Sequence, residues 1–235
     1  MRHTHPKAGV DHASKVKTLT ASAIFSQLSK EGMDDFASLL VPVSFSKGSV
    51  IFADGDPSDF LYIVHAGRVK LYKGSVSGKT VTVSLGVTGI ALNGLALDLD
   101  KYFLTAEAVT DTVVLRISKS EFREVWSKYP VLSAAVRRYI AGMLSGEHQR
   151  LADAIGADVE HRIVHCLALL SKIFGSKIPM TRAEFAVFAG TTTETTIRTL
   201  VRLREQGLIG GTSSSRGEIT ITDLDKLKEY DFIRF

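Results

Sequence analysis

The feature that most constrains this chain is a change of hydrophobic period at Ser118. Before it, short β-rich runs alternate with glycine-containing turns; after it, apolar residues recur at threes and fours. The runs are Val43-Ser44-Phe45, Val50-Ile51-Phe52, Phe60 to Val64, Val69-Lys70-Leu71-Tyr72, Thr80 to Leu85, Leu104 to Val109 and Thr112 to Ile117. Lys47-Gly48, Asp54-Gly55-Asp56-Pro57, Ala66-Gly67-Arg68 and Ser77-Gly78-Lys79 supply turns between them. Many short strands at regular spacing predict a rolled or closed antiparallel sheet. Ahead of them, Ile24, Phe25, Leu28, Phe36, Leu39 and Leu40 fit short amphipathic helices interrupted near Gly32. Residues 1–18 read as a mobile tail, whose His3, His5 and His12 lack a fixed geometry for metal.

Past the switch, Ser118 and Glu121 form a capping-box pattern that opens a helix to about Lys128. Pro130 suits the start of a much longer helix. In it Leu132, Val136, Tyr139, Ile140, Met143, Leu151, Ala154 and Ile155 make one apolar stripe. Its length and position predict a coiled-coil-like dimer seam, with Leu132, Val136, Tyr139, Ile140 and Met143 at the contact. Packing on its own domain is the alternative. Gly156-Ala157-Asp158 predicts a hinge, with Asp158 capping a further helix through Leu170 that buries Ile163, Leu167 and Leu170.

Beyond Gly175 the order of elements becomes specific. Thr181 with Glu184 caps a helix whose apolar side is Phe185, Phe188 and Ala189, and Gly190 breaks it. A second helix opens at Thr191 or Thr192 and carries Ile197, Leu200, Val201 and Leu203 before Gly207 ends it. Helix, glycine turn, helix is a helix-turn-helix. Leu208-Ile209 and Glu218-Ile219-Thr220-Ile221, joined by a polar Gly/Ser stretch, predict a wing hairpin. The surface of the second helix suits DNA. Thr192, Thr193, Thr195 and Thr196 can touch phosphate, thymine methyls and base edges from its first turn, with Ile197 beside them. Glu194 can accept from cytosine N4, and Arg198 can donate twice to guanine. Being four apart, they share a face. Arg202 and Arg216 suit the phosphate backbone. The competing expectation is that Glu194 and Arg198 form a surface salt bridge.

A chain of 235 residues, 45% hydrophobic and 23% charged, is long enough for two domains that each bury a core. The net charge of +4 is unevenly placed. Arg2, Lys7, Lys15 and Lys17 stand against Asp11 alone near the N-terminus, and cations outnumber acids again over 177–216, which permits a local nucleic-acid surface. The single cysteine, Cys166, excludes an internal disulfide and a cysteine-ligated iron–sulfur cluster or structural zinc site within one chain. It fits a reducing, cytoplasmic location. No apolar run reaches membrane-spanning length, and the basic N-terminus has no secretory apolar core behind it.

Taken together, Met180 to Ile209 resembles the helix-turn-helix of the CRP/FNR family of bacterial transcription regulators. The resemblance is carried by Gly190-x-x-x-Glu194-Thr195-x-x-Arg198-x-Leu200, followed by Gly207-Leu208-Ile209. Lys47 to Tyr72 resembles the same family's β-roll hairpins, and the similarity runs in order from about residue 20 to the C-terminus. It implies an α+β architecture. An N-terminal antiparallel β-roll (jelly-roll, cyclic-nucleotide-binding-like) would occupy 19–128, a dimerisation helix and hinge 129–156, and a winged helix-turn-helix 157–235. It also implies a homodimer that regulates transcription by placing the recognition helix, 192–206, in each half of a palindromic operator. Double-stranded DNA and a second copy of the chain are the implied partners, with RNA polymerase a further candidate. The residues matching Glu194 and Arg198 read bases in the family. Cyclic-AMP-responsive members carry an Arg where this chain has Thr193, so the FNR branch and a half-site containing TGA are the closer match.

The effector region departs from the family pattern. A cyclic-nucleotide pocket needs a Glu for the ribose and an Arg for the phosphate. Leu92 stands where the Glu would fall, and Tyr102-Phe103-Leu104-Thr105-Ala106 replaces the Arg-Ser or Arg-Thr. What remains is apolar: Leu85, Val87, Ile90, Leu92, Leu95, Leu97, Leu99 and Phe103, with Tyr102 beside them. The expectation is therefore an effector other than cyclic AMP: haem with a diatomic gas (nitric oxide or carbon monoxide), or a small apolar molecule. His65, the one histidine of the β-roll, is the candidate axial haem ligand, against a turn or packing role. A constitutive regulator with a degenerate sensor is the alternative. A cupin-type metalloenzyme is remote, because the barrel has no His-x-His, and no enzymatic activity is expected.

Overall fold

The computed structural model describes residues 4–5, 9–74, 80–92, 99–178, 180–210 and 218–232. The chain divides into two compact units, Met1–Gly142 and Met143–Phe235, and the boundary falls inside a long helix.

The first unit is built on two antiparallel sheets. One runs β1 (Thr4–His5), β2 (Val41–Phe45), β9 (Thr112–Ser118), β4 (Phe60–Ala66), β7 (Ala91–Leu92). The other runs β3 (Val50–Phe52), β8 (Thr105–Ala108), β5 (Val69–Gly74), β6 (Thr80–Gly86). Phe52, Tyr62, Val64, Leu71, Leu92 and Val114 belong to a core of strand and loop residues. The next residues along β4 and β9, Leu61, Ile63, Leu115 and Ile117, join a second core with the helices. The central strands therefore bury both faces, which explains why Leu61 to Val64 is an unbroken apolar run. Gly67, at φ +89°, makes the turn from β4 to β5, where a Cβ would lie 2.5 Å from the Asp111 carbonyl oxygen.

Four helical pieces cover the outer face: α1 (His12–Thr20), a 3-10 turn (Phe25–Gln27), α2 (Lys30–Leu39) and α3 (Lys119–Lys128). Phe25, Phe36 and Phe122 meet there, with centroids 4.9 to 6.2 Å apart. Ser118 and Glu121 complete a reciprocal capping box at the start of α3.

Two expectations are corrected here. Residues 9–18 are not a mobile tail. Asp11 caps α1, Lys15 Nζ donates to the Leu40 carbonyl at 2.7 Å, and Thr18 and Leu19 are buried. Gly32 does not interrupt a helix; it lies inside α2, and Ser29 starts that helix. Its missing side chain admits the Tyr129 ring, whose Cε1 would be 3.0 Å from an added Cβ.

The long helix α4 spans Val131–Gly156. Leu132 and Ala135 are sealed in the core of the first unit, and Val136 and Tyr139 pack against it. Leu132 therefore has no surface to offer a partner, which removes it from the anticipated seam. Apart from Val131 at its start, the exposed large apolar residues of α4 are Ile140, Met143, Leu144, Leu151 and Ile155.

In the second unit α5 (Val159–Phe174), capped by Asp158, buries Ile163, Leu167 and Leu170 as expected. It precedes β10 (Lys177–Ile178), α6 (Arg182–Phe188), α7 (Thr193–Glu205), β11 (Ile219–Thr220) and α8 (Leu224–Phe232). Ile209 bridges Ile221, Gly210 N–H donates to Thr220 O at 2.8 Å, and β10 pairs with β11 from the other side. The wing is thus part of a three-stranded ribbon. Lys177-Ile178 was not anticipated, because two residues carry no period.

Candidate nucleic-acid interface and effector region

Local chemistry fixes the helix-turn-helix. Thr181 and Glu184 close a capping box on α6, with the Glu184 carboxylate accepting from Thr181 N–H at 2.7 Å. Gly190 at φ +64° ends that helix: its N–H donates to Val187 O and the Thr191 N–H to Ala186 O. Those are the two bonds of a Schellman motif. Thr192 Oγ1 then accepts from Thr195 N–H at 3.1 Å and starts α7. Gly207 at φ +74° ends α7 with the same pair of bonds, to Arg204 O and Leu203 O. Turn and helix termini are thereby set without help from the core.

The helical period sorts the side chains of α7. Thr196, Thr199, Leu200 and Leu203 face inward and are buried. Glu194, Ile197, Arg198 and Val201 share an exposed face, flanked by exposed Thr192 and Thr193. Glu194 and Arg198 make no ion pair with each other among the described residues, so both keep their recognition capacity. Exposed Ile197 and Val201 add an apolar strip suited to thymine methyls. Val201 was read only as one of the apolar residues of this helix; its place four residues after Ile197 was the signal for the outer face.

Two DNA-contact expectations need revision. Thr196 has 0% exposure, so its side chain cannot reach a base or phosphate. Arg202 pairs with Glu160 of α5, whose side chain is only 8% exposed, so this cation is engaged within its own unit. Arg216 lies outside the described residues.

In the β-roll the anticipated pocket residues separate. Leu92 and Tyr102 are core residues, and Leu85, Ile90 and Phe103 are half-buried. Leu95 lies outside the described residues. Tyr102 stacks on Phe52 with centroids 4.1 Å apart, and Phe52 stacks on Tyr62 at 5.6 Å. The Tyr102 hydroxyl donates to Phe60 O at 2.6 Å, and burial pushes its pKa up, so the phenol stays neutral. Leu92 and Leu104 help fill this aromatic core.

His65 does not fit the haem role. It follows Val64 on β4 and falls on the face of Leu61 and Ile63, which packs against helices rather than into the roll. Its Nδ1 is 2.6 Å from Thr18 Oγ1 of α1, and burial holds its pKa below the ordinary histidine value. A packing histidine that anchors α1 accounts for these contacts.

Fold and site define a two-domain DNA-binding regulator, with a cyclic-nucleotide-binding-like roll and a winged helix-turn-helix. Comparison with known proteins agrees. Residues 42–129 match the family model of the cyclic nucleotide-binding domain, and 149–230 that of the Crp-like helix-turn-helix domain. The chain is 25% identical over 218 residues to a CRP-like cAMP-activated global transcriptional regulator of Mycobacterium tuberculosis, covering 89% of this chain and 96% of that protein. It is 28% identical over 200 residues to the transcriptional regulatory protein btr of Bordetella pertussis, covering 80% and 79%. Its fold superposes on FixK2 from Bradyrhizobium japonicum with a TM-score of 0.68 at 22% identity, over 81% of this chain and 96% of that one. The protein belongs to the CRP/FNR family of transcription regulators.

Proposed function

We propose that the chain works as a homodimeric, effector-responsive regulator that places α7 in the major groove of each half of a palindromic operator. The observation that carries this reading is the exposed face of α7. Thr193, Glu194, Ile197, Arg198 and Val201 lie free of the core on a helix whose two ends are capped. Arg198 would donate to a guanine and Glu194 would accept from a cytosine, consistent with a TGA half-site. The unpartnered stripe of α4 supports pairing of two copies: Ile140, Met143, Leu144, Leu151 (62% exposed) and Ile155 (82% exposed). Tyr139 stays at its edge, half-buried.

The effector of this reading is not a cyclic nucleotide, since Leu92 stands where the ribose needs a Glu and Tyr102-Phe103-Leu104-Thr105-Ala106 carries no Arg for the phosphate. Effector contact would act through α4 on the break at Gly156-Ala157-Asp158. The packed Phe52–Tyr62–Tyr102 stack favours a second reading, a constitutive regulator whose roll has lost its sensing role.

Fluorescence anisotropy on a palindromic TGA operator tests the DNA arm. Arg198→Ala should weaken binding by about 1–3 kcal/mol and abolish discrimination at the guanine. Wild-type affinity that ignores substitution of that guanine would sink the assignment.

A further inference from the structure

Helix α7 carries two apolar side chains that neither packing nor local preference explains. Ile197 is 38% exposed and Val201 37%, and neither belongs to the buried core. Beyond α4, the described residues of the second unit expose one further large apolar side chain, Val187 of α6. β-branched residues are mediocre helix formers, so the solvent face of a helix has no local reason to hold them.

Their placement points to a role. At about 3.6 residues per turn, Ile197 stands about 60° to one side of Glu194, Val201 about 20° to the same side, and Arg198 about 40° to the other. The exposed face of α7 is therefore divided, with an aliphatic flank of Ile197 and Val201 beside a charged flank of Glu194 and Arg198. Thr196, Thr199, Leu200 and Leu203 hold the opposite side against the core, so the helix cannot roll to hide either flank.

Base edges offer little to an aliphatic group. In the major groove they present hydrogen-bond donors and acceptors, and the one apolar projection among them is the C5 methyl of thymine. An isoleucine laid over a polar edge would desolvate it with no partner in return. Over thymine the same side chain buries a methyl group, which raises affinity about fourfold.

We propose that Ile197 and Val201 form a methyl-reading patch, which recognises thymine beside the guanine of each half-site by its C5 methyl group and accepts 5-methylcytosine in its place. Glu194 and Arg198 serve a cytosine and a guanine through hydrogen bonds; the patch reads the neighbouring A·T pair that those side chains leave unread. This role rests on the placement of α7 in the major groove proposed above.

Uracil interference tests the patch. A TGA palindrome with selected flanks is prepared with uracil in place of a fraction of its thymines, which removes the methyl and leaves every hydrogen-bonding group in position. Full-length protein is added, and bound and free DNA are separated and cleaved at uracil. At one or two thymines per half-site adjoining the guanine, uracil should weaken binding about fourfold. Cytosine there should bind more weakly than 5-methylcytosine by a similar factor. In the Ile197→Ala, Val201→Ala double variant both differences should vanish while the preference for guanine remains. Both positions are exposed and alanine favours helix, so this variant keeps its fold. Uracil tolerated at every thymine, by a protein that still requires the guanine, overturns the patch and leaves α7 in the groove. A uracil effect that persists unchanged in the double variant assigns the methyl to another residue and overturns the patch equally. Indifference to uracil and guanine alike overturns the placement of α7 itself, and the patch with it.

Discussion

Thr196 allows a sharp test of how α7 is divided between core and DNA. Its side chain has no exposed surface, and its Oγ1 has no hydrogen-bond partner among the described residues. A buried hydroxyl without a partner costs about 1–3 kcal/mol. Thr196→Val replaces that hydroxyl with a methyl of similar size, and the two residues have comparable helix propensity. The substitution should therefore stabilise the second unit by about 1–2 kcal/mol. For a unit of 93 residues, Met143–Phe235, each kcal/mol raises the melting midpoint by about 4–8 °C. Tryptophan fluorescence is the wrong probe, because the only tryptophan, Trp126, lies in the first unit. Far-UV circular dichroism follows the helices of the second, and anisotropy follows operator affinity, which should not change. A folded variant with reduced operator affinity would refute the inward placement of Thr196. A loss of about 1 kcal/mol or more would refute the unpartnered hydroxyl and point to a bridging buried water.

Three further expectations separate local roles. Leu132→Ala should cost about 2–5 kcal/mol of first-unit stability with dimerisation intact, whereas Leu144→Asp should shift sedimentation towards monomer with little loss of protomer stability. Gly32→Ala should lower the melting temperature although alanine is the better helix former, because its Cβ would press on the Tyr129 ring that donates to Asp35 at 2.6 Å. His65 has a depressed folded pKa, so it favours folding while neutral. That contribution is present above the unfolded value near 6.5 and is lost as pH falls through the folded value; His65→Gln should remove this part of the acid sensitivity in melts at pH 7 and pH 5.

The strand runs were legible because their turns are chemically explicit: Gly48, Gly55 and Gly67 all take positive φ, as hairpin and turn positions require. The helix-turn-helix was legible for the same reason, through the caps at Thr181 and Thr192 and the stops at Gly190 and Gly207. Helix α1 was not. His12–Thr20 offers Val16 and Leu19 as its only large aliphatic side chains, and its place depends on Lys15 reaching the Leu40 carbonyl and Thr18 reaching His65. Such contacts leave no period in the sequence. The effector region was ambiguous for another reason: Leu92 and Tyr102 read the same in a lined pocket and in a filled core. Thr196 was readable in principle, since 196, 199, 200 and 203 keep the inward spacing, but its polarity drew it towards the DNA face.

Arg202 shows why an affinity loss alone would mislead on this helix. Its partner Glu160 is almost buried while Arg202 itself is half-exposed, so Arg202→Ala would remove a charged tie between α7 and α5 and cost about 1–3 kcal/mol of stability. DNA binding would then fall even with no phosphate contact, because the helix that carries Arg198 is less firmly held. The two causes differ in salt dependence. A lost phosphate contact reduces the slope of log affinity against log salt by about one. A lost support leaves the slope unchanged and lowers affinity at every salt concentration. The double substitution Glu160→Gln with Arg202→Ala removes the Glu160 charge as well. If Arg202 serves to hold α7 against α5, the double variant recovers much of the stability and affinity that Arg202→Ala loses, at the wild-type salt slope. If affinity stays low and the slope falls by about one in both variants, Arg202 leaves Glu160 to meet the DNA backbone, and the pair is a contact exchanged on binding rather than a fixed brace.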